Sequence, residues 1–305
     1  MLISAKKQLH KAILQHKVRE IIRTPPQFCS KSGDFSLLTM LCETDVQCFL
    51  LAAKSFMRFS PPRRAYILND GTLTRQSKEL LKRHIQGTEI LEASSFSDDK
   101  CPHGGAWERL LAISFLSKNE YIIQMDSDTI FLKKPNEVLN CVITNRAFTL
   151  GNWENQNIES MQHRQHITIE KYYTENCHIQ TTAEAIFDKL HNFHNLKYAK
   201  GCAGFAGFPA GSVNIDFIRG ISQEMTNLLG TRWNEWGSEQ VMSNIVVANH
   251  HSSYILPFQH YTDCNNLKKY SDPHFIHFIG TCRHTSNKYA SHACKVIKEL
   301  QIAAK

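Results

Sequence analysis

Two carboxylates two residues apart, Asp126 and Asp128, follow the apolar run Tyr121–Met125 in the stretch YIIQMDSDTIFLKKP. A short apolar run with β-branched residues reads as a buried strand. Side chains two apart on extended chain point to the same side, so both acids can aim at one spot. Paired carboxylates at a strand end suit a hard divalent cation such as Mn²⁺ or Mg²⁺, which keeps part of its shell for a phosphorylated ligand. A plain turn also favours Asp and Ser. The elements around the pair decide between the two readings.

Composition narrows the classes. A chain of 305 residues, 42% hydrophobic and 21% charged, is ordinary for one large globular domain or two small ones. The net charge of +7 implies an anionic partner, and nucleic acid, anionic lipid and nucleoside diphosphates all fit. No apolar run approaches the roughly 20 residues that span a membrane. Lys6, Lys7, His10 and Lys11 interrupt the apolar patches at the N-terminus, so the chain is expected in the cytosol. The ten cysteines form no CxxC pair and read as reduced thiols, with Cys42, Cys48 and Cys141 expected in core strands. His250-His251, His191/His194 and Cys282/His284 lack a zinc spacing.

Residues 2–23 read as a basic amphipathic helix, stopped by Thr24-Pro25-Pro26. Such a helix packs on its own domain or lies on the inner face of a membrane as a peripheral contact. A regular alternation follows. Strands are expected at Phe35–Cys42, Ala65–Leu68, Thr88–Leu91 and Tyr121–Met125. Helices are expected between them, from Asp45 as N-cap to Phe59, at Thr74–His84 and at Ala106–Leu116. Alternating strands and helices mean crossover connections and a largely parallel sheet, whose ligands sit at the carboxyl ends of the strands. Glu43, Thr44, Asp70, Asp126 and Asp128 all fall on that rim. Farther along, Arg146–Phe193 is polar with little periodicity before a helix at Thr182–Leu190. Gly201–Gly211 reads as a strand whose glycines permit close backbone approach. Helices follow at Val213–Met225 and within Trp233–Ala248, and short strands at Tyr254–Pro257 and Phe275–Gly280.

Three blocks of this sequence resemble the glycogenin and lipopolysaccharide galactosyltransferase family of GT-A glycosyltransferases. The first is AWERLLAISFLSKNEYIIQMDSDTIFLKKPNEVL, Ala106–Leu139, similar to that family's Arg-bearing helix, strand and Asp-x-Asp. The second is Gly204-Phe205 followed by Trp236-Gly237-Ser238-Glu239-Gln240 and Asn244. The third is His277-Phe278-Ile279-Gly280, after which the family's Lys-Pro-Trp is replaced by Arg283-His284-Thr285. A cation is kept and the Pro-Trp is gone.

The resemblance implies an α/β GT-A fold with three segments: an N-terminal helix and linker over 1–27, a nucleotide-sugar-binding half over 28–140, and an acceptor-binding, catalytic half over 141–305. It implies transfer of a hexose from a nucleoside-diphosphate sugar, a UDP-sugar by preference, to a carbohydrate or glycolipid acceptor. Asp126, Asp128 and His277 would hold the metal, a Lewis acid for the departing diphosphate. Asp126 also reaches the ribose in this reading. Arg283 and Arg109 would meet the diphosphate, with Arg109 alternatively pairing with Asp126. Thr44 and Asp70 are candidates for the donor base. Glu239 is the base of an inverting mechanism. In a retaining one, which the His277 match favours, Glu239 or Gln240 stands at the sugar's other face. Trp233 and Trp236 are a sugar-stacking platform or core aromatics.

Two other classes compete. A sugar-nucleotidyltransferase also sets paired acids at a strand end, but no Gly-rich basic loop follows Phe35–Cys42. A non-catalytic basic module would bind nucleic acid or membrane in a strongly salt-dependent, metal-independent way. No nucleic-acid motif or aromatic-basic stripe supports it, so no nucleic-acid partner is expected.

Overall fold

In the computed structural model, which describes residues 2–174, 176–280 and 282–303, helix α1 (Leu2–Val18) runs into a 3₁₀ turn over Arg19–Arg23. Thr24 closes that turn by donating its hydroxyl to the Ile21 carbonyl at 2.7 Å, and the two prolines stop it. Strand β1 (Phe35–Leu41), helix α2 (Val46–Met57), strand β2 (Ala65–Asn69), helix α3 (Arg75–His84) and strand β3 (Thr88–Glu92) follow in the expected alternation. Helix α4 (Trp107–Leu116) and strand β4 (Tyr121–Met125) precede the acidic pair. After it come β5 (Thr129–Phe131), α5 (Asn136–Ile143), β6 (Ala147–Leu150), α6 (Met161–Lys171) and α7 (Ile179–Ala185). The chain continues through β7 (Cys202–Phe208), α8 (Ile215–Leu229), α9 (Ser238–Ala248), β8 (Ser253–Leu256), β9 (Tyr261–Asp263), β10 (Phe275–His277) and α10 (Lys288–Ile302).

The structure has a seven-stranded central sheet in an α/β architecture. One compact unit comprises Met1–Leu91, Met125–Glu137 and Phe258–Lys305. It contributes the strand order β1-β2-β3, with β1 and β2 parallel from Leu37 opposite Ala65 to Leu41 opposite Asn69. It also holds a small three-stranded sheet in the order β9-β10-β5. The second unit, Glu92–Gln124 and Val138–Pro257, contributes the order β8-β6-β7-β4, with β8 parallel and β7 antiparallel to β6. As the glycines suggest, β7 approaches its neighbours closely: a Cβ on Gly207 would run into the Phe148 ring and the Tyr121 hydroxyl.

Several local expectations change. Cys48 lies on α2 and Cys141 on α5, both buried, and Cys42 just follows β1, so none of the three is in a strand. Cys48 falls inside the helix expected after Asp45, and both Cys48 and Cys141 are buried as expected of core thiols. The expectation of reduced thiols fails at Cys264 and Cys282, which form a disulfide with Cα atoms 5.8 Å apart. The polar stretch 146–193 contains α6, which Ser160 starts by accepting a hydrogen bond from the His163 amide at 3.1 Å. Its next helix, α7, ends at Ala185, earlier than expected, and a 3₁₀ turn follows over Phe187–Lys189. Helix α1 packs against α10, with Leu14 and Val18 buried and Leu9 exposed. The helix therefore packs within its unit. No helix among the described residues is long and apolar enough to cross a membrane.

Helix α2 carries a feature that no pattern announces. Lys54 is fully buried and donates to the Thr24 hydroxyl at 2.8 Å and to the Pro25 carbonyl at 2.7 Å, with His84 Nδ1 at 3.0 Å. This polar knot ties the end of the first helix to α2 and α3. Burial pushes the Lys54 ammonium down to about 8. Burial, then the charges of Lys54 and Arg83, push His84 down from 6.5 to about 4. Over that window the unfolded chain takes up the His84 proton and the folded chain does not, so the His84 contribution to stability is full above 6.5 and falls as pH drops towards 4. Urea unfolding midpoints at about pH 7 and about pH 4.5 should show this loss, with a flatter dependence in His84→Asn.

Candidate active site

The acidic pair is fixed by a turn and a strand pairing. Thr129 closes the turn by donating its hydroxyl to the Asp126 carbonyl at 2.9 Å. Strand β5 then pairs antiparallel with β10, Phe131 opposite Phe275 and Thr129 opposite His277. The Phe131 and Phe275 rings meet at 4.9 Å, and Phe131 also meets Phe56 of α2 at 4.8 Å, so apolar packing sets the register. One residue past the paired strands, the Phe278 amide donates to the Asp128 carbonyl at 2.8 Å. That register sets His277 beside Asp128, although 149 residues separate them in sequence.

His277 Nε2 lies 3.0 Å from Asp128 Oδ1 and 4.0 Å from Asp126 Oδ2. The ligand atoms of the three residues all fall within 4.8 Å of one another. His277 is nearly buried, whereas the Asp126 side chain is 34% exposed and opens the cluster to solvent. Two carboxylates and an imidazole converging at this range fit a Mn²⁺- or Mg²⁺-class ion. Burial alone would raise the Asp128 carboxyl, but the charge and hydrogen bond of His277 and the Arg283 guanidinium outweigh it and hold the group below the usual carboxylate range. It is ionised at neutral pH.

Arg283 is brought to the same cluster. Its Nη1 is 3.7 Å from Asp128 Oδ2, and its Nη2 donates to Asp45 Oδ1 at 2.8 Å. Asp45 was expected only to cap α2. Its side chain makes no capping bond and instead accepts from Arg283 and, at 3.2 Å, from the Ser127 hydroxyl. Asp45 thus holds both the arginine and the residue between the two acids. Burial opposes the Arg283 charge, but Asp128, Tyr289 and Asp45 more than offset it, so the guanidinium stays fully charged. The Cys264–Cys282 disulfide joins the segment just before Arg283 to the end of β9.

At the end of β1 and β2 the rim is cross-linked. Glu43 accepts from the Thr74 amide at 2.9 Å and the Ser77 hydroxyl at 2.7 Å, which holds its carboxyl below the ordinary value, the Thr74 amide being the main cause. Asp70 is exposed and turns back on Thr72, accepting from its amide at 2.9 Å and its hydroxyl at 2.6 Å; Gly71 between them has φ +99°. Thr44 is exposed, its hydroxyl 3.2 Å from the Cys42 sulfur.

The second unit contains the remaining expected residues. Arg109 of α4 and Glu239 in the first turn of α9 form a buried ion pair, Nη2 to Oε2 at 2.9 Å. Beside it the Trp107 indole donates to the Ser238 hydroxyl at 2.8 Å. The sequence set Arg109 at the diphosphate or against Asp126 and gave no sign of this pairing with Glu239. Gln240 accepts from the Ala203 amide of β7 at 3.3 Å and donates to Gln180 at 3.2 Å. Trp233 is fully buried against Trp107 at 5.8 Å, so it is core and not part of a sugar platform. Trp236 is 76% exposed, with the His178 ring at 5.8 Å, and remains available for stacking.

No protein-family model matches the sequence. No curated protein matches it either. Solved structures do match. The fold is similar to that of the bifunctional glycosyltransferase WbbM in its apo form, with a TM-score of 0.55 and 12% identity over 87% of this chain. The chain carries the GT-A glycosyltransferase fold. A second similar structure is the glycosyltransferase GlyE of Streptococcus pneumoniae TIGR4, with a TM-score of 0.51 and 11% identity over 90% of this chain. The chain spans half the length of the WbbM chain and 64% of the GlyE chain.

Proposed function

We propose that the chain is a divalent-cation-dependent glycosyltransferase that moves a hexose from a nucleoside-diphosphate sugar, a UDP-sugar by preference, to a hydroxyl of a saccharide, lipid or protein. The observation that carries this reading is the convergence of Asp126, Asp128 and His277, with Arg283 against Asp128, in a chain of GT-A fold. Asp126, Asp128 and His277 hold the cation, which supplies Lewis-acid neutralisation of the departing diphosphate when bound. Asp128 enters ionised, and His277, wedged against it, fixes its orientation. Arg283, aimed by Asp45, adds a second positive charge for the phosphate oxygens. Thr44 and Asp70 read the donor base from the rim of β1 and β2. Gln240 and Trp236, both of the second unit, are the candidates for the acceptor side. Glu239 is committed to Arg109, which favours retention. In that course the bond from the anomeric carbon to the diphosphate breaks, the acceptor oxygen bonds to the same face, and its proton passes to the departing phosphate oxygen.

Because a ligand that binds only the folded state raises its apparent stability, thermal unfolding of the full chain tests this reading. With UDP-, GDP- and CDP-hexoses as probes, a UDP-hexose should raise the melting temperature in the presence of Mn²⁺ and lose that effect in EDTA. Stabilisation by none of these donors, or equally with and without metal, would contradict it.

A further inference from the structure

A second cluster with ligand chemistry lies in the same unit and has no part in the proposed transfer. Glu137, in the first turn of α5, meets His260 and His274, the residues immediately before β9 and β10. Their ligand atoms, like those of the acidic site, lie within 4.8 Å of one another. The placement follows from strand register. Strands β9 and β10 are parallel with Tyr261 opposite Phe275, so the residues one step earlier, His260 and His274, fall side by side. Their backbones are pinned there, the His274 and Phe275 amides donating to the His260 carbonyl at 2.8 and 3.0 Å. The two imidazoles stack with centroids 4.3 Å apart and planes 16° from parallel.

Both rings turn Nδ1 towards one carboxylate. His260 Nδ1 is 2.8 Å from Glu137 Oε1, and His274 Nδ1 is 3.7 Å from Glu137 Oε2. The Tyr261 hydroxyl donates to Glu137 Oε2 at 2.9 Å and orients the carboxylate from outside. His274 Nδ1 is buried yet has no hydrogen-bond partner, and 3.7 Å is too long to satisfy it. An orphaned imidazole nitrogen facing a carboxylate and a second imidazole nitrogen is a set of groups able to ligate a cation. All three residues keep partial solvent access, so an ion has a path in.

We propose that Glu137, His260 and His274 form a binding site for a zinc-class transition-metal ion, separate from the Asp126–Asp128–His277 site. Two imidazoles and one carboxylate are a borderline donor set, suited to Zn²⁺ and Co²⁺ over Mg²⁺ or Ca²⁺. Three protein ligands leave one tetrahedral position for water. Tyr261 supplies the outer-shell hydrogen bond that such a carboxylate ligand requires. The ion would clamp α5 to the starts of β9 and β10, and His274 is three residues before His277 on the same segment. It therefore braces the strand that carries His277.

The experiment uses the full chain carrying Asp128→Asn, which cripples the other site, titrated with Zn²⁺ by calorimetry and with Co²⁺ by visible absorption. One equivalent of Zn²⁺ should bind, raise the melting temperature, and give a Co²⁺ spectrum of tetrahedral intensity. Adding His260→Gln and His274→Gln should remove that equivalent and the melting shift together. Tyr261→Phe, which leaves all three ligands in place, should weaken binding by about 10-fold. Absence of saturable Zn²⁺ binding in the Asp128→Asn chain would overturn the proposal. So would unchanged binding after the two histidine substitutions, or, should that variant fail to fold, unchanged binding in both Glu137→Gln and Tyr261→Phe.

Discussion

Asp128→Ala should lower donor hydrolysis and sugar transfer by on the order of 10³-fold or more, the scale of losing a principal electrostatic group at a developing charge. Three interactions disappear together in this variant: the contact to His277 at 3.0 Å, the approach of Arg283 at 3.7 Å, and one of the two carboxylates that face the cation. The fold should survive. Arg283 keeps its 2.8 Å bond to Asp45, so its buried charge is not stranded. The β5–β10 register rests on Phe131 against Phe275 and on backbone bonds that do not involve the Asp128 side chain. Release of nucleoside diphosphate, measured beside a urea unfolding curve, separates the two consequences. Lost activity with a midpoint near wild type is the expected outcome; near-full activity would remove Asp128 from the chemistry.

Glu239→Ala should have the opposite signature, a large loss of stability. The Arg109 and Glu239 side chains are only 9% and 5% exposed, so truncating Glu239 takes a counter-charge away from a buried guanidinium. Breaking a buried pair from one side costs about 3–5 kcal/mol. Replacing both partners with apolar residues of similar volume, Arg109→Met with Glu239→Leu, should recover most of that loss, because no charge is then left to desolvate. Urea midpoints of the single and double variants check this. A single variant within about 1 kcal/mol of wild type would mean the pair is solvated in solution. The result also bears on mechanism. If Glu239→Gln folds and keeps substantial transfer, Glu239 acts as an anchor for α9 and not as a proton acceptor.

The alternation of strands and helices through Met125 was legible because each element there obeys its own period. Strand β4 has the bounds read from the sequence, and β1 and β2 differ by one residue. The acidic pair was legible as chemistry, since Asp-Ser-Asp after a buried strand has few uses. Its partner His277 was not legible from spacing at all, and came only from the family likeness. A strand pairing between β5 and β10 creates that proximity, and single-sequence periodicity carries no information on which strands pair.

The misses share a cause. Asp45 in front of a helix looks like a cap, and only the fold shows Arg283 and Ser127 competing successfully for its carboxylate. Cys264 and Cys282 lack a motif spacing because their closeness depends on the β9–β10 pairing and the turn after it. The same pairing makes neighbours of His260 and His274, fourteen positions apart by number. Trp233 and Trp236 have the same residue type three positions apart, yet one is fully buried and the other mostly exposed. The 3₁₀ turn over Gly230–Asn234 ends before Trp236 and Glu235 is extended, so Trp236 leaves the helical path that would have placed the two on one face.

The central claim is that Asp126, Asp128 and His277 hold a divalent cation on which nucleotide-sugar chemistry depends. The most direct measurement is nucleoside diphosphate release from a UDP-hexose by the wild-type chain, stripped with EDTA and then restored with Mn²⁺. The account predicts no release from the stripped chain, recovery with Mn²⁺ that saturates, and no recovery in Asp128→Ala. Release that continues at full rate in excess EDTA would contradict it.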